Sequence, residues 1–108
     1  MPTPGPDAII EDALFIITTE VHAINYQNGW YDVPRDFSTD IALLHSEVSE
    51  AFEAWRKDDP HHVGEELADI FIRLIDTCDR SGINLAQAYF AKRRKNKTRS
   101  YRHGGKRV

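Results

Sequence analysis

The sequence predicts an all-α fold, a four-helix bundle, from three observations. Apolar residues recur at helical spacing in four separate stretches, the gaps between them carry helix-start and helix-stop residues, and no stretch alternates with a period of two. At 108 residues the chain has room for one domain with a core and not for two. It divides into a flexible N-terminal arm at 1–6, rich in proline, and a single helical domain over 7–108 that ends in a basic tail.

Each helix has its own signals. Asp7 is the expected N-cap of the first, whose core stripe is Ile10, Leu14, Ile17, Val21 and Ile24, and Asn28-Gly29 closes it. Trp30–Arg35, holding Pro34, reads as a loop. The second helix starts near Asp36 or Ser38 and runs to about Lys57, with Ile41, Leu44, Val48, Phe52 and Trp55 as its core line. Asp59-Pro60, an N-cap followed by proline at the first helical position, opens a third with Val63, Leu67, Ile70, Phe71, Leu74 and Cys78, and Ser81-Gly82 stops it. Asn84 and Gln87 have capping-box spacing for a fourth beginning at Leu85. Short connections favour antiparallel neighbours.

Charge is divided along the chain. Residues 1–91 hold all 17 acidic residues against five basic ones, a net of −12, and residues 92–108 carry nine basic residues, +9. An acidic body with a basic tail points to a cation, a phosphate or both. The longest apolar run, Ala13–Ile17, is far too short to span a membrane. No basic-then-apolar leader opens the chain. A lone Cys78 rules out an internal disulfide and any Cys-rich zinc site, and a reducing cytoplasm is the expected compartment.

Two carboxylate pairs stand out, Glu47-x-x-Glu50 and Glu66-x-x-Asp69. Residues three apart are neighbours on a helix surface. At 100° per residue, Glu47 and Glu66 each fall roughly 90–100° from the centre of their helix's apolar stripe. Four carboxylates gathered among apolar residues repel unless a cation neutralises them, and Mg²⁺ takes a few carboxylates plus waters and phosphates. Acidic pairs are also the ordinary furniture of solvated helix faces, and Glu53 and Glu65 lie close by. No Glu has a His three residues later, and a Gly-rich phosphate loop is absent. His61 and His62, in the first turn of the third helix, are expected to face solvent. On the fourth helix the line Leu85, Tyr89, Lys92, Asn96, Arg99 turns from apolar to cationic and amide, groups suited to phosphate oxygens.

Leu44-His45-Ser46-Glu47-Val48-Ser49-Glu50-Ala51, then Glu65-Glu66-Leu67-Ala68-Asp69-Ile70, then Lys92-x-x-x-Asn96-x-x-Arg99 resembles the MazG-like all-alpha nucleoside triphosphate pyrophosphohydrolases. The ending Tyr101–Lys106 looks like that of their short single-domain members. The resemblance implies Mg²⁺-dependent cleavage of an NTP or dNTP between the α- and β-phosphates, giving a monophosphate and pyrophosphate, with Mn²⁺ as a possible substitute ion. It implies metal ligation by Glu47, Glu50, Glu66 and Asp69, with Glu50 also orienting the attacking water, and phosphate contact by Lys92, Asn96 and Arg99. For the nucleobase it suggests His22, Asn25, Trp30, Phe37 and Trp55, although Trp55 also fits the core line and Phe37 could staple a helix start.

A homodimer or homotetramer is implied too, and Ile9, Ala13 and Ile16 form a second apolar line on the first helix that a partner would cover. No membrane is expected as a partner, and nucleic acid is not the favoured one. The alternatives are a non-enzymatic helical module whose basic tail binds nucleic acid, and an inactive family member acting as an adaptor.

Overall fold

The computed structural model describes residues 2–99, which form α1 Pro6–Gln27, α2 Phe37–Arg56, α3 Pro60–Arg80 and α4 Leu85–Thr98, with no strand among the described residues. The fold is all-α with four helices, as the periodicity predicts. Three of the four starts are capped by the expected side chains. Asp36 accepts from the Thr39 backbone N–H at 2.8 Å, Asp59 from His62 at 3.2 Å and Asn84 from Gln87 at 3.1 Å. The first start differs. Gly5 is the N-cap and Pro6 the first helical residue, so the last residue of the expected arm is helical and Asp7 lies inside the first turn. There its carboxylate takes both guanidinium nitrogens of Arg93 on α4, at 3.0 and 2.8 Å.

Helix ends also follow the sequence signals. Gly29 and Gly82 adopt φ of +77° and +68°, the left-handed conformation that ends a helix without a Cβ penalty. At Gly29 a Cβ would in addition come within 3.0 Å of Asp32 Oδ2.

The helices pack pairwise: α2 lies against α3, α1 against α3, and α4 chiefly against α1. The cross-helix pairs show that neighbours run antiparallel. Asp40 meets Arg80 and Glu47 meets Arg73 across the α2–α3 seam, while Asp7 meets Arg93 between α1 and α4, whose start at Leu85 and Ala86 shares a depression with Leu14 and Thr18. The fully enclosed core is small, with Val21, Ala51, Ala54, Ile75, Cys78 and Ala86 its buried apolar residues. The radius of gyration is 16.9 Å, against about 13 Å for a compact domain of this length. The four helices thus form an open array.

That openness changes which faces are covered. Val21 is buried, and Ile10, Leu14 and Ile17 are half-buried, but Ile24 is exposed. On α2 the expected core line is largely on the outside: Ile41, Val48, Phe52 and Trp55 are exposed, and only Leu44 is half-buried. The face of α2 that meets α3 is instead Asp40, Leu43, Leu44, Glu47, Ala51 and Ala54, so Glu47 lies in the seam rather than off to one side of it. Small alanines let the two helices approach where larger side chains would hold them apart. On α4, Ala86, Phe90 and Arg93 are turned inward, while Tyr89, Lys92, Asn96 and Arg99 are exposed. Lys92 and Asn96 of the basic strip are therefore open to solvent. No helix is long and apolar enough to cross a membrane.

One buried ion network ties the α1–α2 loop to the seam. Asp40, 5% exposed, accepts from Arg35 Nε at 3.0 Å and from Arg80 Nη1 at 3.0 Å. Arg80 Nη2 donates to the Arg35 carbonyl at 3.3 Å, and Arg35 also lies 3.6 Å from Asp76. Removing a buried partner leaves charge uncompensated. Asp40→Ala is expected to cost about 3–5 kcal/mol in urea denaturation at neutral pH, whereas loss of the exposed cap in Asp36→Ala is expected to cost about 1 kcal/mol.

Candidate active site

The antiparallel α2–α3 seam brings carboxylates from the two helices together. One oxygen each from Glu47, Glu66 and Asp69 lies within 4.8 Å of the others, a spacing at which one cation can serve all three. Glu47 and Glu66 are each half-satisfied. Glu47 Oε1 accepts from Arg73 Nε at 2.8 Å, and Glu66 Oε1 accepts from His62 Nε2 at 2.8 Å. Their other oxygens, Glu47 Oε2 and Glu66 Oε2, are buried with no hydrogen-bond donor among the described residues. A buried carboxylate oxygen without a donor carries a desolvation cost that a hydrogen bond or a metal ion would remove. The donor set, three carboxylates with room beside them, fits a hard divalent ion.

Crowding shows in the protonation behaviour. The Arg73 guanidinium holds Glu47 below the ordinary Glu value, although burial opposes it. Glu50, on the rim one turn further along α2, is pushed up by Glu47 and, more weakly, by Glu66. Asp69 is raised, first by burial and then by the charges of Glu47 and Glu66. His62 is also raised, because Glu66 accepts its proton. The sequence placed His62 toward solvent; it is half exposed but reaches one turn along α3 to grip Glu66. His61 does face solvent, against Glu65.

Beside the carboxylates is a cavity of about 160 Å³ lined by Asn25, Trp30, Arg35, Glu47, Asp69, Ile72, Arg73 and Asp76. Asn25 comes from the last turns of α1 and Trp30 from the loop, which is held down at its next residue. Tyr31 donates its hydroxyl to Asp76 Oδ1 at 2.6 Å, and burial together with that bond pushes the phenol up to about 12. Of the five residues suggested for a nucleobase, Asn25 and Trp30 line this cavity. His22 is instead paired with Asp79 at 2.9 Å and tilted against Tyr31. Phe37 borders a separate depression with Arg35, Asp40 and Arg80. Trp55 is 67% exposed and stacks on Phe52, two turns past Glu47.

Lys92, Asn96 and Arg99 do not line the cavity. Arg93 is anchored to Asp7, and Asp7 precedes Asn25 by 18 residues of one continuous helix. At 1.5 Å per residue that is about 27 Å, and α4 runs onward from Arg93 in the direction away from Asn25. Two cavity residues that sequence reasoning missed are cations, Arg35 and Arg73. Arg73 was in principle visible, because it follows Asp69 by four and Glu66 by seven, the spacing of one helix face.

The model of the MazG nucleotide pyrophosphohydrolase domain matches residues 35–103. The chain belongs to the MazG family. The match assigns the protein to a family of hydrolases, and its all-α, four-helix architecture agrees. It takes in α2, α3, α4 and all four carboxylates but begins at Arg35, so Asn25 and Trp30 lie on the part of this MazG chain outside it. No curated protein and no solved structure gave a match. The Tyr101–Lys106 ending lies outside the described residues.

The raised Asp69 has a measurable consequence. A carboxylate whose folded pKa exceeds its unfolded value weakens the fold once it is ionised, and the loss is recovered as pH falls through the raised value. Asp69→Asn is therefore expected to melt at a higher temperature than the wild-type protein at neutral pH in a chelator. It should also show a smaller gain on acidification, as followed by circular dichroism.

Proposed function

We propose that this protein is a Mg²⁺-dependent pyrophosphohydrolase of nucleoside or deoxynucleoside triphosphates, cleaving between the α- and β-phosphates. The observation that carries this reading is the Glu47, Glu66 and Asp69 cluster with its two donorless buried oxygens, set beside a cavity walled by Trp30 and Asn25. Glu47, Glu66 and Asp69 would hold the ion, with Glu50 at the rim. When bound, a divalent ion there supplies charge neutralisation for the phosphates and acidifies a water. Glu50, the carboxylate with the raised pKa, orients the attacking water by accepting its hydrogen bond. His62 keeps Glu66 turned into the cluster. Water oxygen adds to the α-phosphorus and the bond to the α–β bridging oxygen breaks, releasing pyrophosphate. Trp30 offers a flat apolar face and Asn25 a donor and an acceptor for the base. A reducing cytoplasm suits the buried thiol of Cys78, which burial holds in its neutral form.

Incubation with a nucleotide panel and Mg²⁺ should yield monophosphate and pyrophosphate in equal amounts, and a chelator should stop it. Inactivity on every canonical and common damaged nucleotide overturns the reading. Glu50→Gln and Asp69→Asn are each expected to cost roughly 100-fold or more in turnover with cooperative unfolding retained.

The same reading extends to a homo-oligomer in which α4 of one protomer completes the cavity of another. Three observations support it. A cavity of about 160 Å³ is smaller than ligand pockets of roughly 300–1,000 Å³. The phosphate-suited strip Lys92, Asn96, Arg99 lies apart from the cavity that its own carboxylates line, and its charge complements them. The apolar lines Ile41, Val48, Phe52, Trp55 on α2 and Ile9, Ile16 on α1 are uncovered by their own chain. Mixing Glu47→Gln with the double variant Lys92→Ala/Asn96→Ala is expected to restore about a quarter of wild-type activity if random dimers form. No recovery after confirmed subunit exchange places both sets in one chain.

A further inference from the structure

Arg73 has a position that neither the MazG match nor the motif residues explain. Its side chain is 30% exposed, it lines the cavity, and its Nε–H donates to Glu47, one of the three clustered carboxylates. Two cations line the cavity, and they are used differently. Arg35 is bonded to Asp40 and lies against Asp76, both outside the carboxylate cluster. Arg73 is held by a carboxylate that the proposed metal would share, through Nε alone, and its two terminal nitrogens have no hydrogen-bond acceptor among the described residues. A guanidinium presents a planar fork that matches phosphate oxygens.

We propose that Arg73 is the phosphate-binding cation supplied by the same chain that supplies the carboxylates, kept in place by Glu47 until a metal–triphosphate complex arrives. This rests on reading the cluster as a metal site and the cavity as a nucleotide site. Before substrate binds, Arg73 offsets part of the cluster's negative charge and so opposes a free divalent ion. Once a triphosphate is present, the same charge attracts its oxygens. Arg73 therefore favours the ion and nucleotide together over the bare ion.

Opposite effects on two ligands distinguish this role from a structural one. Calorimetry on the whole chain would titrate Mg²⁺ alone and, separately, inorganic tripolyphosphate alone. Arg73→Gln is expected to bind Mg²⁺ several-fold more tightly, because a like charge has left the cluster. It should bind tripolyphosphate roughly ten- to a hundredfold more weakly, the usual worth of a charge-assisted pair. Arg73→Lys keeps the charge without the fork, so Mg²⁺ affinity should stay near wild type while tripolyphosphate affinity still falls. If both ligands weaken together in Arg73→Gln, Arg73 only shapes the cluster and the proposal fails. Unchanged tripolyphosphate affinity in both variants overturns it as well. If the wild-type protein binds neither ligand, the metal-site reading itself fails, an outcome separable from the other two.

Discussion

Everything in this molecule depends on charge carried into the seam between α2 and α3. The antiparallel register sets Asp40 opposite Arg80 and, seven residues along, Glu47 opposite Arg73. The two crossings share one geometry and differ in completion. Asp40 is saturated by two guanidiniums, and the Arg80 that serves it also holds a loop carbonyl. Glu47 receives one donor on one oxygen and is left with the other bare, next to a second buried carboxylate in the same condition. Buried ion pairs gain little unless every lone pair is met. The first crossing meets that condition and holds the fold. The second does not, and its two bare oxygens mark the place in the seam suited to a divalent cation.

The loop between α1 and α2 is drawn into the same arrangement. Tyr31 and Arg35 reach Asp76 on α3, and Arg80 reaches back to the Arg35 carbonyl. Trp30, adjacent to the pinned Tyr31, therefore has a defined place over the cavity despite lying in a connection of irregular backbone. Asn25 joins it from the end of α1, which lies on α3 near the other cavity residues. The carboxylates and arginines of the cavity come from the segment that the family match covers, and Asn25 and Trp30 from the segment before it.

Much of this was legible beforehand. Asp36, Asp59 and Asn84 announced three helix starts because a short acceptor side chain can satisfy the free N–H groups of the first turn only from that position. The pairs Glu47/Glu50 and Glu66/Asp69 were visible because three-residue spacing survives in any helix. The face that α2 turns to α3 was misread. Ile41, Val48, Phe52 and Trp55 make the strongest apolar line, yet Asp40, Glu47, Ala51 and Ala54 meet α3. Periodicity identifies residues that share a line and says nothing about what covers that line. Arg73 was overlooked for a related reason: its spacing from Glu66 and Asp69 placed it on their face of the helix, but not against Glu47 across the seam.

The sequence by itself determined the four helices, three of their four N-caps and the carboxylate, amide and cationic residues available to a site, because these follow from local backbone demands and from spacing within one helix. Only the tertiary structure decided which of those residues meet. It gathered Glu47, Glu66 and Asp69, tied Arg73 to the first of them and Arg35 to Asp40, and carried Lys92, Asn96 and Arg99 to the far end of α1. The physical reason is that helix–helix register is set by how small residues and buried ion pairs interlock between segments, and no single segment contains that information.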